Sequence, residues 1–243
     1  MKRVRIVPWL RRIVWLLVIV ADGMLAFVFF RPPPQDLPWT ELRLGEPIGL
    51  FTGRKLTALT SDPARCIMLL RETGLRFEEL PPRGEGQCLA ADAVRIAPRQ
   101  EMLALAPASV TPSCPVAAAV AVWKWQVVQP AAQRLFGASV ASIETLGSHN
   151  CRRMYGRTEG AWSEHATADA IDISAFVLTD GRRISVLKDW PEPGEEAIFL
   201  KEVRDGACRL FATVLSPDYN AQHRDHLHLD QAARGGMGWR ACR

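Results

Sequence analysis

Three features are scarce in this 243-residue sequence: net charge beyond the first dozen residues, closely spaced cysteine pairs and internal repeats. The chain has a net charge of +4. Five cations and no acid precede residue 13, so the residues from 13 onward carry a net charge of −1. A nearly neutral body gives no electrostatic reason to expect a nucleic-acid partner. With 48% apolar and 23% charged residues, the composition also excludes wholesale disorder, collagen and coiled coils.

The longest apolar run covers residues 13–30 and carries one charge, Asp22. As a helix this run would span about 27 Å, close to the roughly 30 Å of a bilayer core. The cations ahead of it predict a cytoplasmic segment over residues 1–12 and export of everything after residue 30. The sequence therefore predicts a single-pass membrane anchor over 13–30. A cleaved signal peptide is the second interpretation, although residues 19–21 make a poor cleavage site, and a buried core helix is the third.

The six cysteines all follow the apolar run and form no CxxC pair. An even number at wide spacing is typical of disulfides in an oxidising compartment, which agrees with export, and the ligand spacing of a zinc ribbon is missing. Spacing cannot choose among the possible connectivities, and buried free thiols are the alternative. The pairing expected here is Cys66–Cys88, Cys114–Cys151 and Cys208–Cys242.

The rest of the chain is expected to form a short linker and one domain. Residues 31–35 are a stiff polyproline spacer, and residues 31–60 as a whole are expected to be linker and irregular lead-in. Residues 61–243 are expected to form a single α+β domain, because helical and strand patterns both occur there. The helices are predicted at 63–73, 116–128 (kinked or ended by Pro130), 131–136 and 195–214, and the strands at 77–80, 94–96, 139–146, 170–174, 183–187 and 226–230.

Histidines cluster in the second half of this domain, where four of the five lie between residues 165 and 228. In the strand predicted at 226–230 side chains alternate, which places His226, His228 and Asp230 on one face and two leucines on the other. The same alternation puts Asp172 on one face of the strand at 170–174. Pairing of these two strands would bring Asp172 close to His228.

His165 lies seven residues before Asp172, an odd spacing that would put the two side chains on opposite faces of an unbroken strand. Residues 166–168 must therefore bend if His165, Asp172 and His228 share a site. Two histidines and a carboxylate are a common catalytic zinc shell, which leaves a fourth position open for water. Zinc lowers the pKa of that water to near neutrality and polarises a carbonyl group. A polar cluster without metal is the alternative.

These residues carry a resemblance. The pattern Ser163-x-His165 with Asp172, followed by His226-x-His228, resembles the zinc peptidases of the D-Ala-D-Ala carboxypeptidase, lysostaphin and murein endopeptidase group. The resemblance implies an α+β fold with a small antiparallel sheet and flanking helices, of the hedgehog and DD-peptidase type.

More narrowly, residues 60–243 resemble the bacterial extensin-like C-terminal domain family. The matching features are the Cys114-Pro115 helix, the turn at 147–152, the SxH element and the segment 219–230. The serine–polyproline repeats of plant wall glycoproteins are missing from the sequence, so a structural role of that kind is not implied.

Carried over by position, the resemblance makes His165, Asp172 and His228 the zinc ligands. It makes His226 the acid/base beside the metal. Asp225 is the alternative, because carboxypeptidases of this group carry a glutamate three residues before the last ligand. We prefer His226, since strand alternation places it on the ligand face whereas Asp225 points away.

Other residues receive supporting roles. Arg152 is the candidate for holding a substrate carboxylate or a developing oxyanion, and pairing with a surface acid is its alternative. Ser163 is expected to orient the first ligand, and Ala168 stands where the zinc-peptidase group usually has glycine, which weakens the required bend. Tyr219, Asn220 and His223 are expected to line the cleft, although His149 and His223 also suit ordinary loop histidines.

The implied function is zinc-dependent hydrolysis of an amide bond in peptidoglycan stem peptides or cross-links. The domain would face the periplasm of a Gram-negative cell from a single inner-membrane anchor. A non-catalytic envelope module is the alternative, which would keep zinc and bind a wall peptide or a protein partner. Hedgehog-type relatives show that such a fold can retain the metal without peptidase action.

Overall fold

The computed structural model describes residues 8–234 and 240–243, and its first element is helix α1, Pro8–Phe29. None of the α1 side chains is buried, although nearly all are apolar. Within the described residues this is the one helix long and apolar enough to cross a membrane, and it could be a membrane span or a signal sequence. The helix begins before the predicted run, with Pro8 in its first turn, where a missing backbone N–H costs nothing. Residues 1–7 of the expected cytoplasmic segment lie outside the described part.

The segment expected to be an irregular linker is folded from Pro34 onward. It forms a 3₁₀ turn at Pro34–Asp36, helix α2 at Thr52–Ala58 and a further 3₁₀ turn at Leu59–Ser61. Gln35 and Leu56 are buried, and the Thr57 hydroxyl donates to the side chain of Gln231 at 2.6 Å. The spacer between α1 and the body is therefore only residues 30–33.

One long helical stretch crosses the middle of the body. It consists of α4 at Cys114–Trp123, a π-helical turn at Lys124–Val128 and α5 at Gln129–Phe136. Every residue of α4 is buried, as its uniformly apolar sequence requires. The predicted kink or end at Pro130 takes the form of the π turn directly before it, which relaxes the backbone where proline cannot donate a hydrogen bond.

The sheets are built from short strands. Strands β1 (Phe77–Glu79) and β2 (Val94–Ile96) pair with each other. The main sheet contains β3 (Leu105–Ala106), β4 (Val140–Gly147), β5 (Ala170–Leu178), β6 (Arg183–Ser185), β7 (Thr213–Leu215), β8 (Leu227–Asp230) and β9 (Ala241–Cys242). The remaining helices are α3 (Pro63–Glu72), α6 (Val186–Asp189) and α7 (Glu195–Ala207).

Within the described residues the main sheet runs in the order β3–β4–β5–β8–β7–β9, with β6 beside the second half of β5. The central pairs are antiparallel, and only the outermost pairs, β3–β4 and β7–β9, are parallel. This mixture of helices with a small antiparallel sheet confirms the coarse α+β prediction. The predicted short strand at 183–187 ends at Ser185, because α6 begins at Val186.

Helices α4, α5 and α7 and the sheet share one apolar core. The indole of Trp123 donates to the backbone oxygen of Val203 in α7 at 2.8 Å and packs edge-on against Phe176 of β5. Phe176 in turn packs against Phe199 of α7. The buried faces of β5 and β8 belong to this core, so their polar residues face the other way.

All six cysteines are paired, but two of the expected pairs are wrong. Cys66 bonds Cys114, and Cys88 bonds Cys151, whereas Cys208–Cys242 forms as predicted. The reason is tertiary: α3 packs against the start of α4, which buries Cys66 beside Cys114. Cys88 lies in a separate 3₁₀ turn, and its bond to Cys151 anchors the loop that follows β4.

Candidate metal centre

The site is centred where strand β5 pairs with strand β8. Asp172 lies directly opposite His228 in the antiparallel register, as strand alternation predicts. Their side chains rise from the face opposite the core, and His228 Nδ1 lies 2.9 Å from Asp172 Oδ1. Residues of two strands that are 56 positions apart thus form one polar pair because the sheet aligns them.

His165 reaches this pair from a tight bend before β5. Residues Glu164–Thr167 form a 3₁₀ turn, the Ser163 hydroxyl accepts a hydrogen bond from the His165 amide, and Ala168 closes the turn with φ 66°. The expected bend is therefore present, although an alanine occupies a left-handed conformation that costs about 1–2 kcal/mol without glycine. His165 Nε2 lies 3.2 Å from Asp172 Oδ2 and 3.2 Å from His228 Nδ1.

His165, Asp172 and His228 form a triad of side chains that could hold a metal ion. A tetrahedral ion with bonds of about 2.0 Å separates its ligand atoms by roughly 3.3 Å. The two imidazole nitrogens are 3.2 Å apart, close to that edge length, whereas Asp172 meets them with different oxygens, Oδ2 towards His165 and Oδ1 towards His228. Two imidazole nitrogens and one carboxylate are donors typical of a transition-metal site, and one atom from each lies within 4.8 Å of the others.

Outer partners hold both imidazoles in the orientation that a metal requires. His165 Nδ1 lies 2.7 Å from the Ser148 carbonyl oxygen, to which it can only donate, so Nε2 is the nitrogen that faces Asp172 and His228. His228 Nε2 lies 3.1 Å from Asp230 Oδ2, and Asp230 itself accepts a hydrogen bond from the Ala232 amide. Such backing of ligand histidines by carbonyl or carboxylate groups is usual in metal sites.

In the absence of a metal ion, the carboxylates next to His228 favour its protonated form. Burial by itself lowers the pKa of His228, but hydrogen bonds to Asp172 and Asp230 outweigh it and raise that pKa to about 9. Burial would raise the pKa of Asp172, yet hydrogen bonds from His165 and His228 hold it well below its usual range. His228 is thus an imidazolium between two carboxylates, and a metal must displace its proton.

Zinc binding near pH 7 is therefore expected to release about one proton or more, because the protonated His228 must become neutral to bind the ion. Calorimetric titrations in buffers of different ionisation enthalpy measure this number. The release from His228 should fall as the pH rises past about 9, where that proton is already lost. Asp230→Asn should reduce the release near pH 7, and a wild-type value of zero would contradict His228 as a ligand.

His226 and Asp225 lie next to the triad in a fixed order. Asp225 Oδ1 is 2.8 Å from His226 Nδ1, so the carboxylate accepts that hydrogen bond and His226 Nε2 faces inward. His226 Nε2 lies 3.6 Å from Asp172 Oδ1, just beyond the triad. Asp225 is half-buried, and its carboxylate contacts His226.

A cleft of about 280 Å³ opens over these side chains. Arg152 lines it, and the Arg152 guanidinium makes no ion pair with an acid in the described part of the chain. His223 lines it as well, but Tyr219 and Asn220 lie behind His223: Tyr219 packs on its ring, and Asn220 Oδ1 lies 2.7 Å from His223 Nδ1. His149 does not line the cleft.

Several residues that line the cleft are not among the predicted site residues. Burial, followed by the nearby Asp230 and Asp169, raises the pKa of Glu164 to about 7. Its place inside the Ser163-x-His165 element was the available signal. The others come from loops with no periodicity, and only packing brings them together: Met154, Tyr155, Trp162, Gln222 and Arg234.

A family model described as "Extensin-like protein C-terminus" matches residues 64–243, which include the whole site. No curated protein and no solved structure shows significant similarity to the chain.

Proposed function

Because this chain belongs to the extensin-like protein C-terminus family, whose sequence pattern resembles zinc peptidases, we propose that its cleft is a metallopeptidase site. The bonds cleaved are amides in peptidoglycan stem peptides or cross-links. The observation that carries the proposal is the convergence of one donor atom each from His165, Asp172 and His228 within 4.8 Å of one another, with both imidazoles backed by acceptors.

His165, Asp172 and His228 would hold the ion, and zinc is the cation that their chemistry favours. When bound, such an ion supplies activation of water and polarisation of a carbonyl group. Three protein donors leave one position of a tetrahedral ion for water or substrate. In this proposal the domain also shares the fold of the D-Ala-D-Ala carboxypeptidase, lysostaphin and murein endopeptidase group. That resemblance is the reason for proposing a wall peptide as the substrate.

His226 moves the proton in this proposal. Its Nε2 faces the cleft, where it takes a proton from the attacking water and returns it to the departing amine nitrogen. Asp225, on Nδ1, holds the imidazole in the tautomer that this transfer needs and stabilises the imidazolium that forms. A group just outside the ligand triad suits this role because it is close to the reacting atoms without occupying a ligand position.

Arg152 supplies positive charge to the same cleft. Its guanidinium has no acid partner among the described side chains, so its donors are free for a substrate carboxylate or for a developing oxyanion. The neighbouring Cys88–Cys151 disulfide and a hydrogen bond from the Ser163 amide to the Arg152 carbonyl fix the backbone that carries it.

The membrane location belongs to the same proposal. Helix α1 spans the inner membrane once and leaves residues 31–243 in the periplasm, where disulfides form and peptidoglycan lies. A cleaved signal sequence would place the same body in the same compartment without the anchor.

Residues 31–243 are expected to release peptides from purified peptidoglycan, and a chelator should abolish the release until zinc is restored. This fragment is suitable because α1 contributes no buried side chain. Chromatography of the soluble products, together with metal analysis of the protein, measures both properties. Stoichiometric zinc without any product would instead support a non-catalytic module that binds wall peptides.

A further inference from the structure

The chain leaves α1 and enters the body at an unusually apolar corner. The 3₁₀ turn Pro34–Asp36 is flanked by the loops 37–40 and 49–51, which present Trp39 and Leu50 to solvent. Trp39 is 74% exposed and Leu50 is 80% exposed, and among the described residues from 31 onward these are the most exposed large apolar side chains. We name this corner, Trp39 and Leu50 around the turn 34–36, the entry patch.

The entry patch is rigid, so its exposure is not a property of a loose tail. The Leu50 amide donates to Asp36 Oδ1 at 2.7 Å, and the Phe51 amide donates to the Gln35 carbonyl at 3.0 Å. The Lys55 ammonium lies 3.1 Å from the Pro34 carbonyl oxygen and 2.8 Å from the Thr40 hydroxyl. The two loops are thus clamped to the turn, and the two apolar side chains are held outward.

The tether to α1 is short. Helix α1 ends at Phe29 and the folded body begins at Pro34, so residues 30–33 are the whole connection. Fully extended, four residues span at most about 14 Å. The headgroup layer on one side of a bilayer is roughly 5–8 Å thick. A chain anchored by α1 therefore cannot carry the entry patch far from the membrane surface.

The charge around the entry patch suits a phospholipid surface. Arg31, Arg54 and Lys55 are the cations of the segments 31–40 and 49–55, against one acid, Asp36. The Arg54 guanidinium lies over the Phe51 ring, 5.9 Å from its centre. Tryptophan beside arginine is a composition typical of a membrane interface, where the indole sits among headgroups and the guanidinium meets phosphates.

We propose that the entry patch docks on the bilayer that holds α1, with Trp39 and Leu50 inserted among the lipid headgroups. This inference rests on the proposed membrane span and not on the proposed hydrolysis. Docking through a fixed corner sets the orientation of the body, and with it the direction in which the cleft faces.

The test uses the full chain reconstituted into vesicles of phosphatidylethanolamine and phosphatidylglycerol. All six native cysteines are in disulfides, so a single new thiol accepts a fluorescent label. Leu50→Cys carries an environment-sensitive dye into the entry patch. Leu187→Cys is the matched control, since Leu187 is 51% exposed on α6, which packs against β5, β6 and α7.

Spin-labelled lipids should quench the dye at residue 50 several-fold more than the dye at residue 187. Adding Trp39→Asp to the Leu50→Cys chain should lower that quenching, because it removes the second inserted side chain. Equal quenching at both positions, in vesicles that retain the chain through alkaline extraction, would overturn the docking alone. Release of the chain by alkaline extraction would overturn the membrane span and the docking together. Peptidase activity affects neither outcome.

Discussion

Replacing His165 with alanine is expected to lower both zinc affinity and peptidase activity by about three orders of magnitude. The change removes one of three protein donors, and a metal contributes several kcal/mol to catalysis, with each 1.36 kcal/mol worth a factor of ten. His149→Ala is the matched control, because His149 directly follows Ser148, whose carbonyl contacts His165, but does not line the cleft. It should leave both quantities unchanged.

Metal content by mass spectrometry and initial rates on purified peptidoglycan measure these effects, with circular dichroism as the check on folding. The Ser148 carbonyl loses its buried partner in His165→Ala, which costs about 1–3 kcal/mol of stability, so melting must be followed as well. Asp230→Asn, which weakens only the backing of His228, should lower zinc affinity by about 10–100-fold. Full activity in His165→Ala would remove the proposed metal site.

Replacing His226 with alanine is expected to keep the metal but to lower the rate constant of hydrolysis by about 10²–10⁴-fold. The reason is geometric: His226 Nε2 faces the triad from 3.6 Å without belonging to it. Asp225→Asn should retain the metal as well and lower the rate by a smaller factor, about 10–100-fold, because it disturbs the tautomer of His226 rather than removing the base.

Zinc stoichiometry and turnover of both variants, each measured across pH 5–9, decide between the two candidates for proton transfer. Loss of zinc in His226→Ala would mean that His226 is itself a ligand. If His226→Ala stayed active while Asp225→Asn did not, the carboxylate would be the acid/base and the order proposed here would be reversed.

Much of the site follows from one local rule. Side chains alternate along a strand, so the leucines of 226–230 and the isoleucines of 170–174 had to share the buried face, and Asp172 and His228 the other. The same rule does not extend to Asp225, which precedes strand β8 in the structure. It could not place Arg152 or Glu164, because loops have no period from which direction can be read.

The disulfides and the lead-in segment show where local patterns end. Cys66 and Cys88 both have plausible partners by spacing, and only the packing of α3 against α4 selects Cys114 for Cys66. Residues 34–61 have neither a clear helical nor a clear strand pattern, yet helix α2 packs against the distant helix α4, and Leu56 is buried.

By itself, the sequence determined the features with a short period: the apolar helix at the N-terminus, the buried helix α4, and the strand faces that carry Asp172 and His228. Tertiary structure alone decided which distant segments meet, and so the arrival of His165 at the triad, the disulfide partners and the folding of residues 34–61 onto the body. Backbone geometry dictates the first kind of feature over a few residues. Contacts between segments that are distant in the sequence depend on how all the surfaces pack at once, and no local pattern contains that information.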